Sequence, residues 1–186
     1  MLAGSSLAGE LPETDNRTAR FGVYLNDGTG SKMSYYLKPD VSLQWGRCGS
    51  GTETSSRELT LTATLTSTAP ADAETSLPTY VTGNGALGTA PGSAATVTNV
   101  YLPQGWELLS ATTSNGLNPV SATFAGRQVL TFDSILAPQQ SASLTVVVRA
   151  TTTATEAEAW VTPTADADIA PIVTKDCETI GVATLE

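Results

Sequence analysis

The sequence predicts an all-β protein built as a sandwich of two antiparallel sheets. Thr accounts for 30 of the 186 residues, and such frequent β-branching favours strands over long helices. Residues 59–66 alternate apolar residues with threonine without a break, which is the period of a strand with one buried face. About ten short stretches of this kind follow one another between turn-forming residues, a spacing typical of a sandwich.

The N-terminal region divides into an arm and the beginning of the domain. Residues 1–20 are small and polar and include Pro12, so we expect a flexible arm without a core of its own. The stretches 21–25 and 33–37 flank the turn-rich sequence 26–30. A strand, a glycine-rich turn and a second strand predict a β-hairpin.

Residues 21–186 are predicted to form one domain, with the hairpin and a following strand in 21–56 and the body of the sandwich in 57–186. Within the first part, 41–45 alternates cleanly and forms the following strand. The residues predicted to face the core are Leu59, Leu61, Leu65, Leu130, Phe132, Leu144, Val146 and Val148. The residues predicted to face outward are Thr60, Thr62, Thr64 and Thr145.

Residues 68–94 contain three prolines and four glycines and predict a long irregular connection with a short strand at Tyr80 and Val81. Regular strands follow it, and Gly126 and Arg127 are expected to link two of them tightly. These predicted strands are 96–102, 106–111, 122–125, 128–132, 142–150 and 159–161, with a further candidate at 177–182. No helix is predicted.

The composition excludes several functions. The net charge of −9 argues against binding to nucleic acid or to anionic lipid, because both need cationic side chains. The chain has no histidine, which excludes Ser-His-Asp and Cys-His catalysis and histidine-ligated metals. The longest run of large apolar residues is 146–148. Such a run is far too short to span a membrane, so we expect no part of this sequence to insert into one. Residues 1–6 lack the basic and apolar regions of a signal peptide.

The two cysteines, Cys48 and Cys177, predict one disulfide. An even count, neighbouring polar turn residues and a Thr-rich acidic composition suit a protein outside the cytoplasm. Two free buried thiols are the alternative. A zinc site is disfavoured, because two thiolates without histidine leave the tetrahedral shell incomplete.

No constellation of polar residues predicts an enzyme, a metal or a cofactor. Asp166 and Asp168 lie near Glu156 and Glu158, and we interpret these acids as a solvated edge. A calcium site or a pair of glycosidase carboxylates is the alternative, but the twelve-residue calcium loop is missing. The glycine-rich residues 28–32 lack the spacing of a phosphate-binding loop.

Aromatic residues provide the candidate ligand-binding site, a surface on which a sugar could stack. The chain offers Trp45, Trp106 and Trp160 together with Tyr35, Tyr36, Tyr80 or Tyr101. From this set we select Trp106, Tyr80 and Tyr101. Trp106 follows the turn sequence 103–105, which predicts partial exposure. The alternative is that the tryptophans belong to the core or its rim. Trp45 shares its strand face with apolar neighbours, which favours the core for that residue.

Two stretches carry a resemblance to known proteins. The first comprises 100–106, Gly126, 130–132, 136–138 and 143–148. It is similar to the immunoglobulin-like modules repeated in bacterial surface proteins, in which a proline-glycine corner precedes alternating strands. The resemblance implies an immunoglobulin-like antiparallel β-sandwich, with 57–186 as the immunoglobulin-like body.

The second stretch is 22–37, which resembles the C-terminal part of a family of actinobacterial membrane-anchored proteins of unknown function. The resemblance implies an extracytoplasmic body at the cell surface, anchored by a segment outside this sequence. Abundant Ala, Gly and Pro beside three lysines agrees with a GC-rich genome.

We therefore expect a non-catalytic structural or interaction module of a bacterial cell-envelope protein, with another envelope protein or a polysaccharide as its partner. The alternative function is a carbohydrate-binding module that uses exposed aromatic residues. An enzyme fragment is the third hypothesis, and a concave pocket holding two or more carboxylates would favour it.

Overall fold

The computed structural model describes residues 11–48, 54–86, 88–165, 172–174 and 177. The strands are β1 (Thr18–Asp27), β2 (Leu37–Trp45), β3 (Ser55–Ser67), β4 (Ala94–Tyr101), β5 (Glu107–Thr113), β6 (Val120–Phe124), β7 (Arg127–Leu136), β8 (Ser141–Thr152), β9 (Glu156–Val161) and β10 (Ile172–Thr174). The helical segments of the described residues are α1 (Ala73–Ser76), α2 (Thr79–Thr82) and the 3₁₀ turns Met33–Tyr36 and Gly83–Gly85.

The strands form two sheets that pack face to face, which confirms the predicted all-β sandwich. The six-stranded sheet has the order β10-β9-β1-β4-β7-β6, and the four-stranded sheet has the order β2-β3-β8-β5. Within each sheet, the described strands that lie side by side are antiparallel, with the exception of β1 and β9, which run parallel. Two largely antiparallel sheets around one core are consistent with an immunoglobulin-like fold.

The main core depends on β3 and β8, which pair over twelve residues. Their register places Leu59 opposite Val148 and Leu61 opposite Val146, and all four side chains are fully buried. Apolar residues at every second position therefore form one continuous inner face.

The predicted core residues are confirmed. Leu59, Leu61, Leu65, Leu130, Phe132, Leu144, Val146 and Val148 are all buried. Thr60, Thr62, Thr64 and Thr145 are half-buried on the other face of the same sheet. Phe21 and Val23 of β1 close the core from the six-stranded sheet.

The predicted hairpin of 21–25 and 33–37 does not form. β1 pairs with β4 and β9 in one sheet, whereas β2 pairs with β3 in the other. The intervening residues cross between the sheets, and Met33 and Leu37 are buried in a second apolar cluster that contains Leu65. Burial of these two side chains between the sheets replaces the pairing that a hairpin would give.

Residues 18–20 do not belong to the predicted arm 1–20, because they are part of β1. Residues 1–10 lie outside the described part of the chain, and β1 begins at Thr18. Thr18 and Ala19 are buried, so the last residues of the predicted arm belong to the core. Pro12 is also buried, and its carbonyl oxygen accepts a hydrogen bond from the guanidinium of Arg127.

The connection between β3 and β4 contains short helices where a strand at Tyr80 and Val81 was predicted. Both residues lie in α2, which follows Pro78 and ends at Gly83 with φ of 75°. A proline before the first turn and a left-handed glycine after the last are typical limits of a helix. The local pattern of two apolar residues could not distinguish one helical turn from a strand.

The tight link lies one residue earlier than predicted. β6 and β7 are joined by Ala125 and Gly126, whose φ angles of 49° and 71° are those of a two-residue type I′ turn. The short strand β10 was not predicted. The predicted strand at 177–182 lies outside the described residues except for Cys177.

Replacement of Leu61 by Ala is expected to lower the free energy of unfolding by about 2–5 kcal/mol, because the side chain leaves a cavity in a close-packed core. Thr62→Ala, the matched change on the opposite face, is expected to cost far less. Chemical denaturation of both variants measures the difference. Equal losses would contradict the assignment of faces in β3.

Candidate functional site

The disulfide between Cys48 and Cys177 joins the segment after β2 to the C-terminal region. The two Cα atoms are 5.4 Å apart, and the bond links positions separated by 129 residues. The backbone N–H of Cys177 donates to the carbonyl of Thr155 at 3.2 Å. The predicted pairing is therefore confirmed, and Cys177 is buried beside the β8–β9 connection.

Trp106 is a core residue and not part of a surface platform. It is only 8% exposed, and its ring lies 6.1 Å from the ring of Trp45. Trp45 is partly buried against the same core cluster, as predicted. The turn before Trp106 directs the start of the next strand inward, so the expected partial exposure of its side chain is wrong.

Tyr80 and Tyr101 lie near opposite ends of β4. Tyr101 ends that strand and contacts Tyr24 and Phe124 edge to face, at 5.5 and 6.1 Å between ring centroids. Tyr80 is 75% exposed in α2, near the residues that begin β4. The structure therefore brings none of the three predicted site residues, Trp106, Tyr80 and Tyr101, together.

A cleft at the end of the sandwich where β1 finishes is the candidate binding site. Its volume is about 720 Å³, within the range of small-molecule pockets. Tyr35, Tyr36 and Tyr80 line it, so it holds three of the five tyrosines of the chain. The rings of Tyr35 and Tyr36 meet edge to face at 5.2 Å. We call this site the tyrosine cleft.

Polar groups enter the tyrosine cleft from β1, β4 and the crossing between the sheets. Asp27 and Lys32 contribute one negative and one positive charge. Thr96 lines the cleft and is 3% exposed, and its hydroxyl has no hydrogen-bond partner among the described residues. A buried hydroxyl without a hydrogen-bond partner costs free energy in the folded chain.

Hydrogen bonds hold the turn between Asp27 and Lys32, two residues that line the tyrosine cleft. The carboxylate of Asp27 accepts from the backbone N–H and the hydroxyl of Thr29, at 3.0 and 2.9 Å. The hydroxyl of Thr29 bonds to that of Ser31 at 2.7 Å. Lys32 then donates its backbone N–H to Val81 in α2. The glycine-rich residues 28–32 thus fix the crossing, and the short 3₁₀ turn follows them.

The acidic residues of β9 are paired with arginines instead of forming a solvated edge. Glu156 accepts from Arg17 at 3.0 Å and Glu158 accepts from Arg20 at 2.8 Å. Arg20 also donates to Asp15 at 2.7 Å. Asp166 and Asp168 lie outside the described residues.

The ion pair with Arg20 changes the titration of Asp15. The hydrogen bond from Arg20 and those from the backbone N–H groups of Arg17 and Thr18 lower the pKa of Asp15 to about 2. The segment before β1 is held to the sheet through this charged carboxylate.

Over the described residues, no cluster of three or more acidic or cysteine side chains could hold a metal ion. None of the helices in that part of the chain is long and apolar enough to cross a membrane.

No protein-family model, no curated protein and no solved structure matches this chain. The resemblances to immunoglobulin-like surface modules and to an actinobacterial membrane-anchored family therefore stay predictions. Of the three selected site residues, only Tyr80 lies in the tyrosine cleft. Tyr35 and Tyr36 were among the aromatic residues considered for a sugar platform but were not selected. Their position shortly after the glycine-rich turn 26–30 was the available signal for them. No local pattern singled out Asp27 or Thr96.

Asp15→Asn is expected to remove an acid-sensitive part of the stability. The pKa of Asp15 is about 2 in the folded chain against 3.8 ordinarily, so the carboxylate stabilises the fold above about pH 4, and this stabilisation is lost as the pH falls toward 2. The asparagine keeps one side-chain oxygen for the backbone N–H groups of Arg17 and Thr18. It loses only the second oxygen, which accepts from Arg20.

Thermal unfolding of wild type and Asp15→Asn between pH 7 and pH 2 measures this effect. The midpoints should differ at pH 7 and converge at pH 2. Asp40→Asn, a change at an exposed aspartate of β2, is the control. A constant difference between wild type and Asp15→Asn across the range would contradict the role of the charge.

Proposed function

We propose that this chain is a non-catalytic interaction module of a bacterial cell-envelope protein that works outside the cytoplasm. The observation that carries the proposal is the disulfide between Cys48 and Cys177. Stable disulfides are typical of extracytoplasmic proteins, because reducing systems keep cytosolic thiols free. An immunoglobulin-like sandwich is a common scaffold for surface modules of this kind.

The charged groups of the described residues support a binding or structural role over catalysis. Arg149 pairs with Glu107 at 3.0 Å, and the carboxylates of β9 pair with arginines. Carboxylates engaged in this way serve to hold strands and segments together and are poorly placed to exchange protons with a substrate.

The disulfide is expected to contribute about 4–5 kcal/mol to stability, because it closes a loop of more than 100 residues. Thiol titration in denaturant without reductant should detect no free thiol, and two after reduction. A double variant, Cys48→Ala with Cys177→Ala, should unfold at lower denaturant concentration and be insensitive to reductant. Two reactive thiols in the unreduced protein would contradict the proposal.

The location is tested directly on intact cells that express the full-length protein. Lys32 and Lys38 are exposed, so an amine reagent that does not cross membranes should label them. Labelling in lysed cells but not in intact cells would overturn the extracytoplasmic assignment. Recovery of labelled peptides from these two lysines distinguishes this segment from the rest of the protein.

The second candidate function is carbohydrate binding, and the tyrosine cleft favours it. Tyr35 and Tyr80 are 65% and 75% exposed, so their ring faces are available for stacking against an apolar sugar face. Asp27 and Lys32 are exposed and supply an acceptor and donors for sugar hydroxyls. One charge of each sign suits a neutral ligand better than a charged one.

Tyr80→Ala is expected to weaken binding of a neutral polysaccharide about five- to tenfold, because one stacking surface is lost. Isothermal titration calorimetry with soluble neutral oligosaccharides measures this. Tyr101→Ala is the matched control, since it changes the same residue type outside the cleft, and it should leave affinity unchanged. Equal effects of the two variants, or no binding by wild type, would contradict a sugar site in the cleft.

A further inference from the structure

We propose that β6 is a self-association edge, through which two copies of this chain pair antiparallel and join their six-stranded sheets into one. This inference is independent of the function proposed above. It rests on the exposure of β6, on the absence of the protective features that the other edges carry, and on a register in which the strand is complementary to itself.

β6 is the last strand of the six-stranded sheet and pairs only with β7 among the described residues. All five of its residues are exposed. Two of them are large and apolar, with Val120 69% and Phe124 58% exposed. An exposed edge with apolar side chains is a template for pairing with another strand.

The other sheet edges in the described part of the chain are each protected. β2 carries Lys38, Pro39 and Asp40 in succession, and proline and charge both oppose strand addition. β5 has a register shift between Leu108 and Ser110, which distorts its edge. β10 has only three residues. β6 has none of these features within its five residues.

Charge does not oppose a second copy at this edge. The chain carries a net charge of −9, yet residues 108–126 contain no charged side chain. Two copies repel each other over most of their surfaces, and this uncharged stretch is where that repulsion is weakest. A cationic partner would gain nothing from β6 itself.

The turn after β6 determines which backbone groups are free. Ala125 and Gly126 form a two-residue turn, so Phe124 and Arg127 form a hydrogen-bonded pair. Hydrogen-bonded and non-hydrogen-bonded pairs alternate along antiparallel strands. Ser121 and Thr123 therefore direct their backbone N–H and C=O groups away from β7, toward a new strand.

A two-fold axis at Ala122 satisfies these groups and matches the side chains. Ser121 then faces Thr123 of the second copy, and each pair exchanges two backbone hydrogen bonds. Val120 faces Phe124 of the second copy, a β-branched residue opposite an aromatic one, which is a favourable cross-strand pair. Both chains use the same surface, as an isologous interface requires.

Analytical ultracentrifugation of the full chain tests for the dimer. The measured mass should rise from 19.2 kDa toward twice that value as the concentration increases to about 0.5 mM, because an interface of one strand pair is small and weak. Val120→Lys should raise the dimer dissociation constant more than about tenfold, since each dimer gains two charges at its edge.

Ile135→Lys is the matched control, because Ile135 is equally exposed at 66% but lies on β7 beyond the residues that pair with β6. It should leave the dimer unchanged. Circular dichroism establishes that the variants fold, and Phe124→Lys replaces Val120→Lys if that variant does not.

Ala122→Cys tests the register. Non-hydrogen-bonded partners at the axis have Cα atoms about 4.5 Å apart, within the range that a disulfide spans. Mild oxidation should therefore give a covalent dimer of Ala122→Cys and none of Ile135→Cys. A wild-type chain that stays monomeric, a dimer that survives Val120→Lys, or failure of Ala122→Cys to crosslink would each overturn the proposal.

Discussion

The pairing of β3 with β8 is the interaction on which the rest of the structure depends. It is the longest of the strand pairings, with twelve residue pairs, and its inner face provides Leu59, Leu61, Leu144, Val146 and Val148 to the main core. The core has few large side chains in a chain rich in Ala and Thr, so an uninterrupted apolar face is the most economical way to bury area. β2 and β5 flank the β3–β8 pair on either side, and the core residues of the six-stranded sheet pack against its inner face.

The alternation of apolar and polar residues predicted most of the strands, and it predicted the buried side of β3, β7 and β8. A strand whose apolar residues recur at every second position can bury only one of its faces. The pairing partners were harder to predict. A strand, a glycine-rich turn and another strand are compatible with a hairpin and with a crossing between sheets, and the choice depends on Leu65 and its neighbours, which are distant in sequence from Met33. Local pattern contains no information about that contact.

The tyrosine cleft illustrates the same limit for the candidate site. Tyr35 and Tyr80 are separated by the whole of β2 and β3, and they meet because the crossing and α2 pack at one end of the sandwich. Trp106 has the residue type of a sugar platform but lies in the core. Residue type could be read from the sequence, whereas exposure and convergence required the tertiary contacts of segments distant along the chain.

The disulfide also determines how the domain responds to mechanical tension. When the segments before β1 and after Cys177 are pulled apart, the force passes through β1, β2 and the covalent bond between Cys48 and Cys177. The residues between the two cysteines carry no load once the N-terminal strands have detached. Extension is therefore limited to the residues before Cys48 and after Cys177, at most about 3.3–3.6 Å for each. β3 and β8 lie inside the covalent loop, so the applied force does not pull them apart.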